Sequence, residues 1–526
     1  MAPAVTGPAS PRLALAGGGP VDVVVVGGGV AGLVCARDLA TAGRRVVVLE
    51  ASDRPGGCVA PHTVAGLVLD AGAESFATRS PAVGDLLGEL GLDDVVVAPE
   101  GAGAWVRLAR RCVPLPRTGV VGIPADPWSP EVRAAIGIPG ALRASLDRLL
   151  PARVGTRARA RRDGGHGSDD APGPTLATLV RARAGRRVLN RLVAPVVGGV
   201  HSVDPGVVGV EVVAPGLVAA VRSTGSLSGA VRSLRSSAGS RSGRRAGPQV
   251  RPGAAVAGVD GGMHRLVTAL VDDLRRLGAS VRLGQRASGV EQVAGGWRVR
   301  LDGGSTERAP DVVLAVPGPV ARRLLDPGAA ALPAGPVVAL VTLVLDAPEL
   351  DVAPRGTGVL VSREAAEAAR APVRAKALTH ATAKWAWLAR EAGPGRHVLR
   401  LSYGRGDGSV GGGLGDGGAT GDVSVEQALA DASVLLGVPL GADRLVGSAR
   451  VVWSGVVPGG VDRHASRALA ESVTGRWACG AWVAGQGLAS VVADARDLAS
   501  RVLDDVARRG PARPDEDGLS AFSDRP

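Results

Sequence analysis

Gly27, Gly29 and Gly32 stand in the spacing G-x-G-x-x-G, and an acid, Glu50, follows 23 residues after the first of them. That spacing suits a dinucleotide. Gly27 permits a tight turn, Gly29 lets the backbone approach a pyrophosphate with no Cβ in the way, and Gly32 allows close packing of helix on strand. Glu50 is placed to accept hydrogen bonds from ribose hydroxyls, and an acid there disfavours a 2′-phosphate and hence NADP. The four cysteines (Cys35, Cys58, Cys112, Cys479) lie far apart, with no CxxC and no zinc spacing with histidine, so no metal site is expected. No Ser/His/Asp arrangement and no catalytic base stands out. His201 and His464 are candidates by position only, and a lone histidine serves more often as a structural hydrogen-bonder.

The elements around the glycines have the order such a site needs. Val21–Val26 is apolar apart from Asp22 and ends in Gly27-Gly28-Gly29, as a buried parallel strand does. Val30–Ala42 reads as a helix closed by Gly43, and Arg45–Leu49 as a second buried strand ending at Glu50. Further on, Met263–Leu277 reads as a helix, with strands near Val281, at Trp297–Leu301 and at Val312–Val316. A strand around Trp477–Cys479 precedes a long helix, Leu488–Ala507. This order predicts an α/β protein whose nucleotide-binding domain is interrupted in sequence.

Composition narrows the class. A chain of 526 residues with 45% hydrophobic and 21% charged residues is a multidomain globular protein rather than a disordered one. The net charge of +12 comes from a strong bias to arginine, since Lys376 and Lys384 are the only lysines among 61 basic residues. With aromatics at 2%, the charge reads as coding bias, and no nucleic-acid partner is expected. The uncharged stretch 327–345 carries Pro327, Pro333 and Pro336, leaving only Val337–Leu345 as a clean apolar run, which suits a buried strand and is too short to span a membrane. With no recognisable signal peptide, a cytoplasmic protein is expected.

After Glu50 come Arg54, Gly56 and Gly57, and this E-x-x-x-R-x-G-G resembles the second fingerprint of FAD-binding, amine-oxidase-type flavoproteins. Val68–Ser75 (VLDAGAES) looks like the loop that passes the flavin in that superfamily. The resemblance then narrows to the protoporphyrinogen and coproporphyrinogen III oxidases. Leu192–Pro205 is similar to their "APLLGGVYAGDP" segment, and Pro114–Pro124 to their "PLP…GIP". Gly261-Gly262-Met263 resembles their "GGM", Thr382–Trp385 their "S-x-K-W", and Gly480–Leu488 their closing "GAxxxGxGL". These blocks run in order from about residue 21 to 505, and the resemblance is nearest to actinobacterial members acting on coproporphyrinogen III. Two departures stand out. Cys58 replaces a frequent basic residue, and Val457–His464 lacks the Gln and Tyr of the family's "LPQY…H".

The resemblance implies FAD contacts at Gly27, Gly29, Gly32, Glu50, Arg54, Gly57, Gly72, Ala73, Glu74 and Ser75. It adds Val290 beside the adenine, and Ala481, Gln486, Gly487 and Leu488 near the isoalloxazine. It implies a six-electron oxidation of a porphyrinogen by dioxygen in haem biosynthesis, releasing hydrogen peroxide, with Arg79, Lys384 and His201 as candidates to bind the substrate; the two cations suit its propionates. Transient contact with other enzymes of that pathway and at most peripheral membrane contact are expected. Protoporphyrinogen IX as substrate, another amine-oxidase-fold activity (amine oxidase or desaturase) and a flavin-binding protein without turnover stay open.

The expected fold is a discontinuous Rossmann-type FAD-binding domain (21–80, 255–325, 445–507), a mixed-sheet substrate domain (81–114, 326–444) and a helical insertion (115–254). A disordered leader (1–20) and tail (508–526) are expected at the ends. Arg153–Pro174, Arg222–Arg251 and Arg405–Asp422 are expected as mobile loops. Arg222–Arg251 holds seven arginines and no acid, so its burial would need partners, and contact with an anionic membrane is the alternative.

Overall fold

The computed structural model of the chain describes residues 20–78, 80–156, 173–201, 203–241, 256–326, 328, 337–368, 372–404, 423–454 and 463–510. Arg79, nearly all of the expected leader and tail, the loop 405–422 and most of the insertion 153–174 lie outside these residues.

The valines of β1 (Val23–Val26) lie at the centre of a five-stranded parallel sheet. The glycine turn leads into α1 (Val30–Thr41), which ends at Ala42 before Gly43 at φ +79°, and the chain returns in β2 (Val46–Leu49). The sheet order is Ser280–Arg282, β2, β1, Asp311–Leu314, Arg476–Ala478. Because side chains alternate along a strand, the two faces build two cores. Val23, Val25, Val46 and Val48 pack with α1, His264–Arg276 and the last helix, Leu488–Arg509. Val24, Val26, Val47 and Leu49 pack with Trp297, Val299 and Leu301 of a three-stranded antiparallel sheet.

A second, seven-stranded mixed sheet runs in the order Leu445–Trp453, Val338–Asp346, Arg396–Tyr403, Ala377–His380, Gly358–Val361, Trp105–Arg107, Cys112–Pro114. The apolar run expected from Val337 is its second strand, buried over all but its last residue. No helix among the described residues is long and apolar enough to cross a membrane.

The elements redraw the division made from sequence in two places. Helix Ala82–Glu89 buries Val83, Leu86 and Leu87 in the core that packs on the five-stranded sheet, and Val96–Val97 pairs with Val256–Val259 there, so this stretch does not join the seven-stranded sheet. Conversely, Leu445–Trp453 is an edge strand of the seven-stranded sheet, paired antiparallel with Val338–Asp346.

The helical insertion corrects a third expectation. Most of the described part of Arg222–Arg251 is the helix Leu227–Arg241, with Leu227, Ala230 and Val231 buried in the insertion's core. Arg222, in the preceding helix Leu217–Thr224, donates to Thr156 O (3.2 Å), and within Leu227–Arg241 Arg232 donates to Ala125 O (2.9 Å) and Arg235 to Gly119 O (3.5 Å), so these arginines are met by carbonyls rather than acids. Residues 242–251 lie outside the described residues. The same core holds a buried ion pair, Arg183 Nε to Asp147 Oδ1 at 2.6 Å. Arg183 also donates to Pro151, Val154 and Gly225 carbonyls, and Asp147 Oδ2 accepts from Leu227 N–H, so both charges are fully coordinated.

Candidate flavin site

The turn after β1 tolerates only glycine at two of its positions. Gly27 has φ +109°, and a Cβ there would come within 2.5 Å of Ala315 O; a Cβ on Gly32 would lie 2.0 Å from Gly27 O. Gly29 differs: a Cβ there would meet nothing within 4 Å, so the turn opens outward at the start of α1, which no side chain caps. Glu50 holds the turn from the end of β2, its Oε2 accepting from Gly28 N–H (2.7 Å) and its Oε1 from Ser52 N–H and Oγ–H (2.8 and 2.7 Å).

The second glycine turn presses against the first. Gly56 N–H donates to Gly28 O (2.8 Å), and a Cβ on Gly57 would lie 3.4 Å from Gly29 Cα. Arg54 donates to Gly57 O (3.1 Å) and stands 5.9 Å over the ring of Trp453, whose indole N–H donates to Ala71 O (3.0 Å). Gly72 is packed so closely that a Cβ would fall 1.8 Å from Cys58 O, and Ala73 N–H donates to that same oxygen (3.0 Å). Gly480 completes the group: its Cβ would lie 3.6 Å from Ala31, in the first turn of α1. Beyond it Ala481 opens the short helix Ala481–Ala484, and Gly487 (φ +108°) caps the last helix at Leu488 without any side-chain cap. The helix ends of α1 and of Leu488–Arg509 present backbone donors and the positive end of a dipole, as an anion or a reduced flavin ring requires.

Glu74 forms the link to the second sheet. Its Oε1 lies 2.5 Å from Lys384 Nζ and its Oε2 3.3 Å from Arg400 Nη1, and Arg400 also donates to Gly72 O. Burial works to raise the Glu74 carboxyl, but the two cations outweigh it and hold it below the usual carboxylate range. Lys384, expected to bind a substrate propionate, therefore has its ammonium on Glu74. Arg400 escaped the sequence reading: it is 326 residues from Glu74, and nothing in its strand marks it out.

The same strands hold a polar cluster that sequence reading also missed. His380 Nε2 lies 3.0 Å from His397 Nδ1, Thr382 Oγ1 lies 3.2 Å from that nitrogen, and His397 Nε2 lies 2.9 Å from Asp351 Oδ1. Burial, and then the neighbouring His397, push His380 down to about 3. Burial also lowers His397, against the opposing pull of Asp351.

The remaining sequence candidates scatter. Ser75 is half-buried beside Glu74. Val290 sits in Ala287–Val293 of the antiparallel sheet and packs on the second core face, reached by a chain whose Gln285 N–H donates to Glu50 O (2.8 Å). His201 ends the π-helical turn Val197–His201. Gly198 and Gly199 of that turn line a cavity of about 50 Å³ with Pro195, Asp204, Arg363 and Lys376. His464 is exposed near the start of Arg463–Ala470, and Arg79 lies outside the described residues.

Fold and site together define a dinucleotide-binding protein of the Rossmann type, with a second sheet joined to the cofactor loop through Glu74. Residues 30–389 match the model of the flavin containing amine oxidoreductases, and the chain belongs to that family. It is an FAD-dependent oxidoreductase. The open cradle at Gly29, the paired glycine turns and the acid at the end of β2 fit FAD, whose dinucleotide part Gly27–Gly32, Glu50 and Arg54–Gly57 would hold. When bound, FAD takes electrons from a substrate and passes them to an acceptor.

A coproporphyrinogen III oxidase of Mycobacterium tuberculosis is 32% identical over 393 residues, covering 73% of this chain and 77% of that one. The protein of the same name from Mycobacterium leprae is 31% identical over 388 residues, covering 72% and 77%. Among solved structures, a provisionally named protoporphyrinogen oxidase from Exiguobacterium sp. superposes with a TM-score of 0.71 at 23% identity, over 92% of this chain and 99% of that one.

Proposed function

We propose that this flavin-dependent oxidase converts coproporphyrinogen III to coproporphyrin III in haem biosynthesis. Six electrons and six protons leave the macrocycle in three two-electron cycles, and each pair reduces one dioxygen to hydrogen peroxide. The observation that carries the reading is the likeness to relatives of that name across about three quarters of both chains, together with a dinucleotide site whose steric requirements for glycine are all met. In this reading the chain's own residues bind and orient. Glu50 and the two glycine turns fix the dinucleotide, and the Glu74–Lys384–Arg400 cluster sets the cofactor loop against the seven-stranded sheet. The protein acts in the cytoplasm, its substrate passing to and from other enzymes of the pathway.

Adding coproporphyrinogen III, which is colourless, to the yellow FAD-loaded chain tests this. Fluorescent porphyrin should form with three dioxygen molecules consumed for each, and without NAD or NADP. FAD-loaded protein that forms no porphyrin, or that requires a nicotinamide, overturns the proposal.

A further inference from the structure

The edge strand Leu445–Trp453 lies along the hairpin of Pro61–Val64 and Leu67–Asp70, which leads into the cofactor loop. Alternate residues of a strand share a face, and the face carrying Gly447, Ala449 and Trp453 is the one turned to the hairpin. A Cβ on Gly447 would lie 3.1 Å from Ala65 Cβ at the hairpin tip, and Ala449 packs with Val64 and Leu69. At the other end Trp453 reaches the hairpin's foot. There its indole N–H donates to Ala71 O (3.0 Å), and its Cζ2 would stand 3.2 Å from a Cβ on Gly72. The last residue of the seven-stranded sheet's edge is thereby built into the flavin site.

Trp453 also meets the second glycine turn. The Arg54 guanidinium stands 5.9 Å from its ring centroid, within the range of a cation–π contact. Among the described residues that guanidinium makes one hydrogen bond, to Gly57 O (3.1 Å), and pairs with no acid. Lys384 and Arg400 contrast with it, since both are taken up by Glu74. Gly57 packs on Gly29, where α1 begins, and Gly56 bridges to Gly29. Arg54 is thus a half-buried cation beside the open dinucleotide turn, its orientation set by a ring and a carbonyl and its charge left for an anion.

A guanidinium is a planar, directional donor, so where it points matters as much as its charge. A long arginine on a turn loses side-chain freedom when it binds an anion, and a ring that already holds it removes part of that cost. We infer that Trp453 is a positioning residue for FAD: its indole face pre-sets Arg54 beside the turn at Gly29, where the pyrophosphate would lie. Trp453 acts on the hold of the cofactor, whichever substrate is oxidised.

The test is the dissociation constant of FAD, read by flavin fluorescence on dilution of the loaded full-length chain, for Trp453→Leu and Arg54→Gln alone and together. Trp453→Leu should weaken FAD about tenfold while Arg54 is present, and less than about twofold in the Arg54→Gln background, where the ring has no guanidinium to hold. Trp453→Phe keeps a ring face and loses the indole N–H, so it should weaken FAD only about threefold. Equal losses from Trp453→Leu in the two backgrounds, or no loss in either, overturn the inference by leaving Trp453 a packing residue of the cofactor loop. Trp453→Phe that weakens FAD as far as Trp453→Leu also overturns it, by assigning the effect to the hydrogen bond on Ala71. Should Trp453→Leu fail to fold, Trp453→Phe is carried through the same cycle; a loss that is absent, or that persists without Arg54, overturns the inference there.

Discussion

Glu50 and Glu74 are both acids beside glycine turns, yet they do different work. Glu50 braces the first turn by accepting from Gly28 and Ser52, and a ribose bound there would add charge-assisted hydrogen bonds of roughly 1.5–3 kcal/mol each. Glu50→Ala should therefore raise the FAD dissociation constant at least tenfold, measured by flavin fluorescence on dilution; unchanged affinity would mean that the dinucleotide lies elsewhere. Among the described residues Glu74 is the acid paired with both Lys384, at the end of the short helix Ala381–Lys384, and Arg400, on the strand Arg396–Tyr403, two cations that are only 16 and 12% exposed at their side chains. Glu74→Gln should destabilise the fold by about 3–5 kcal/mol, the usual cost of leaving buried charge uncompensated, and should loosen FAD as Gly72–Ser75 comes free. Its folded-state pKa is depressed, so its contribution is present above the ordinary carboxylate pKa and is lost as pH falls through the lowered value. Urea melts of wild type and Glu74→Gln at neutral and acid pH would check this: their stabilities should differ at neutral pH and converge in acid. The Glu50 site was legible in the sequence because its parts lie within one short βαβ unit. The Glu74 cluster was not, because Lys384 and Arg400 reach it from 310 and 326 residues away.

At the scale of elements, legibility followed the range of the interactions. The glycine that closes α1 and the unbroken apolar run of Val338–Asp346 announce themselves locally. Which sheet an edge strand joins is decided by a partner elsewhere in the chain, and so Leu445–Trp453 was assigned to the wrong layer. The helix Leu227–Arg241 was missed for a related reason: its arginines are paid for by distant carbonyls, which no charge count reveals. The seam between Ala377–His380 and Arg396–Tyr403 makes a prediction of its own. His380 is fully buried and held at about 3, facing His397 and, through it, Thr382 and Asp351. An unfolded histidine binds its proton near pH 6.5, so between there and pH 3 the unfolded chain holds more protons than the folded one, and stability falls as pH is lowered. This one group should cost about 2 kcal/mol between pH 8 and pH 5. His380→Gln should be less stable than wild type at pH 8 and should lose less on acidification; equal slopes in denaturant titrations at the two pH values would show that His380 does not carry the effect.

For the whole molecule, the proposed preference for coproporphyrinogen III has a physical handle in charge. Coproporphyrinogen III carries four propionates where protoporphyrinogen IX carries two, and the chain has a formal net charge of +12. Net charge acts on encounter rather than on the fit inside a pocket, raising the association rate of the more highly charged substrate. Fit works in the same direction. Replacing two propionates by vinyl groups calls for more apolar and aromatic wall, and the chain has eight tryptophans, two phenylalanines and one tyrosine among its 526 residues. The two contributions separate by their response to salt. Steering over distances beyond about 8 Å is largely screened at physiological ionic strength, whereas a direct carboxylate contact in a partly buried site persists. The ratio of kcat/KM for coproporphyrinogen III over protoporphyrinogen IX should therefore exceed one at low salt, fall as salt is raised, and level off above one. A ratio that falls to one at high salt would leave steering as its whole basis. A preference for protoporphyrinogen IX at every ionic strength would overturn the assignment of coproporphyrinogen III while leaving the flavin site as described.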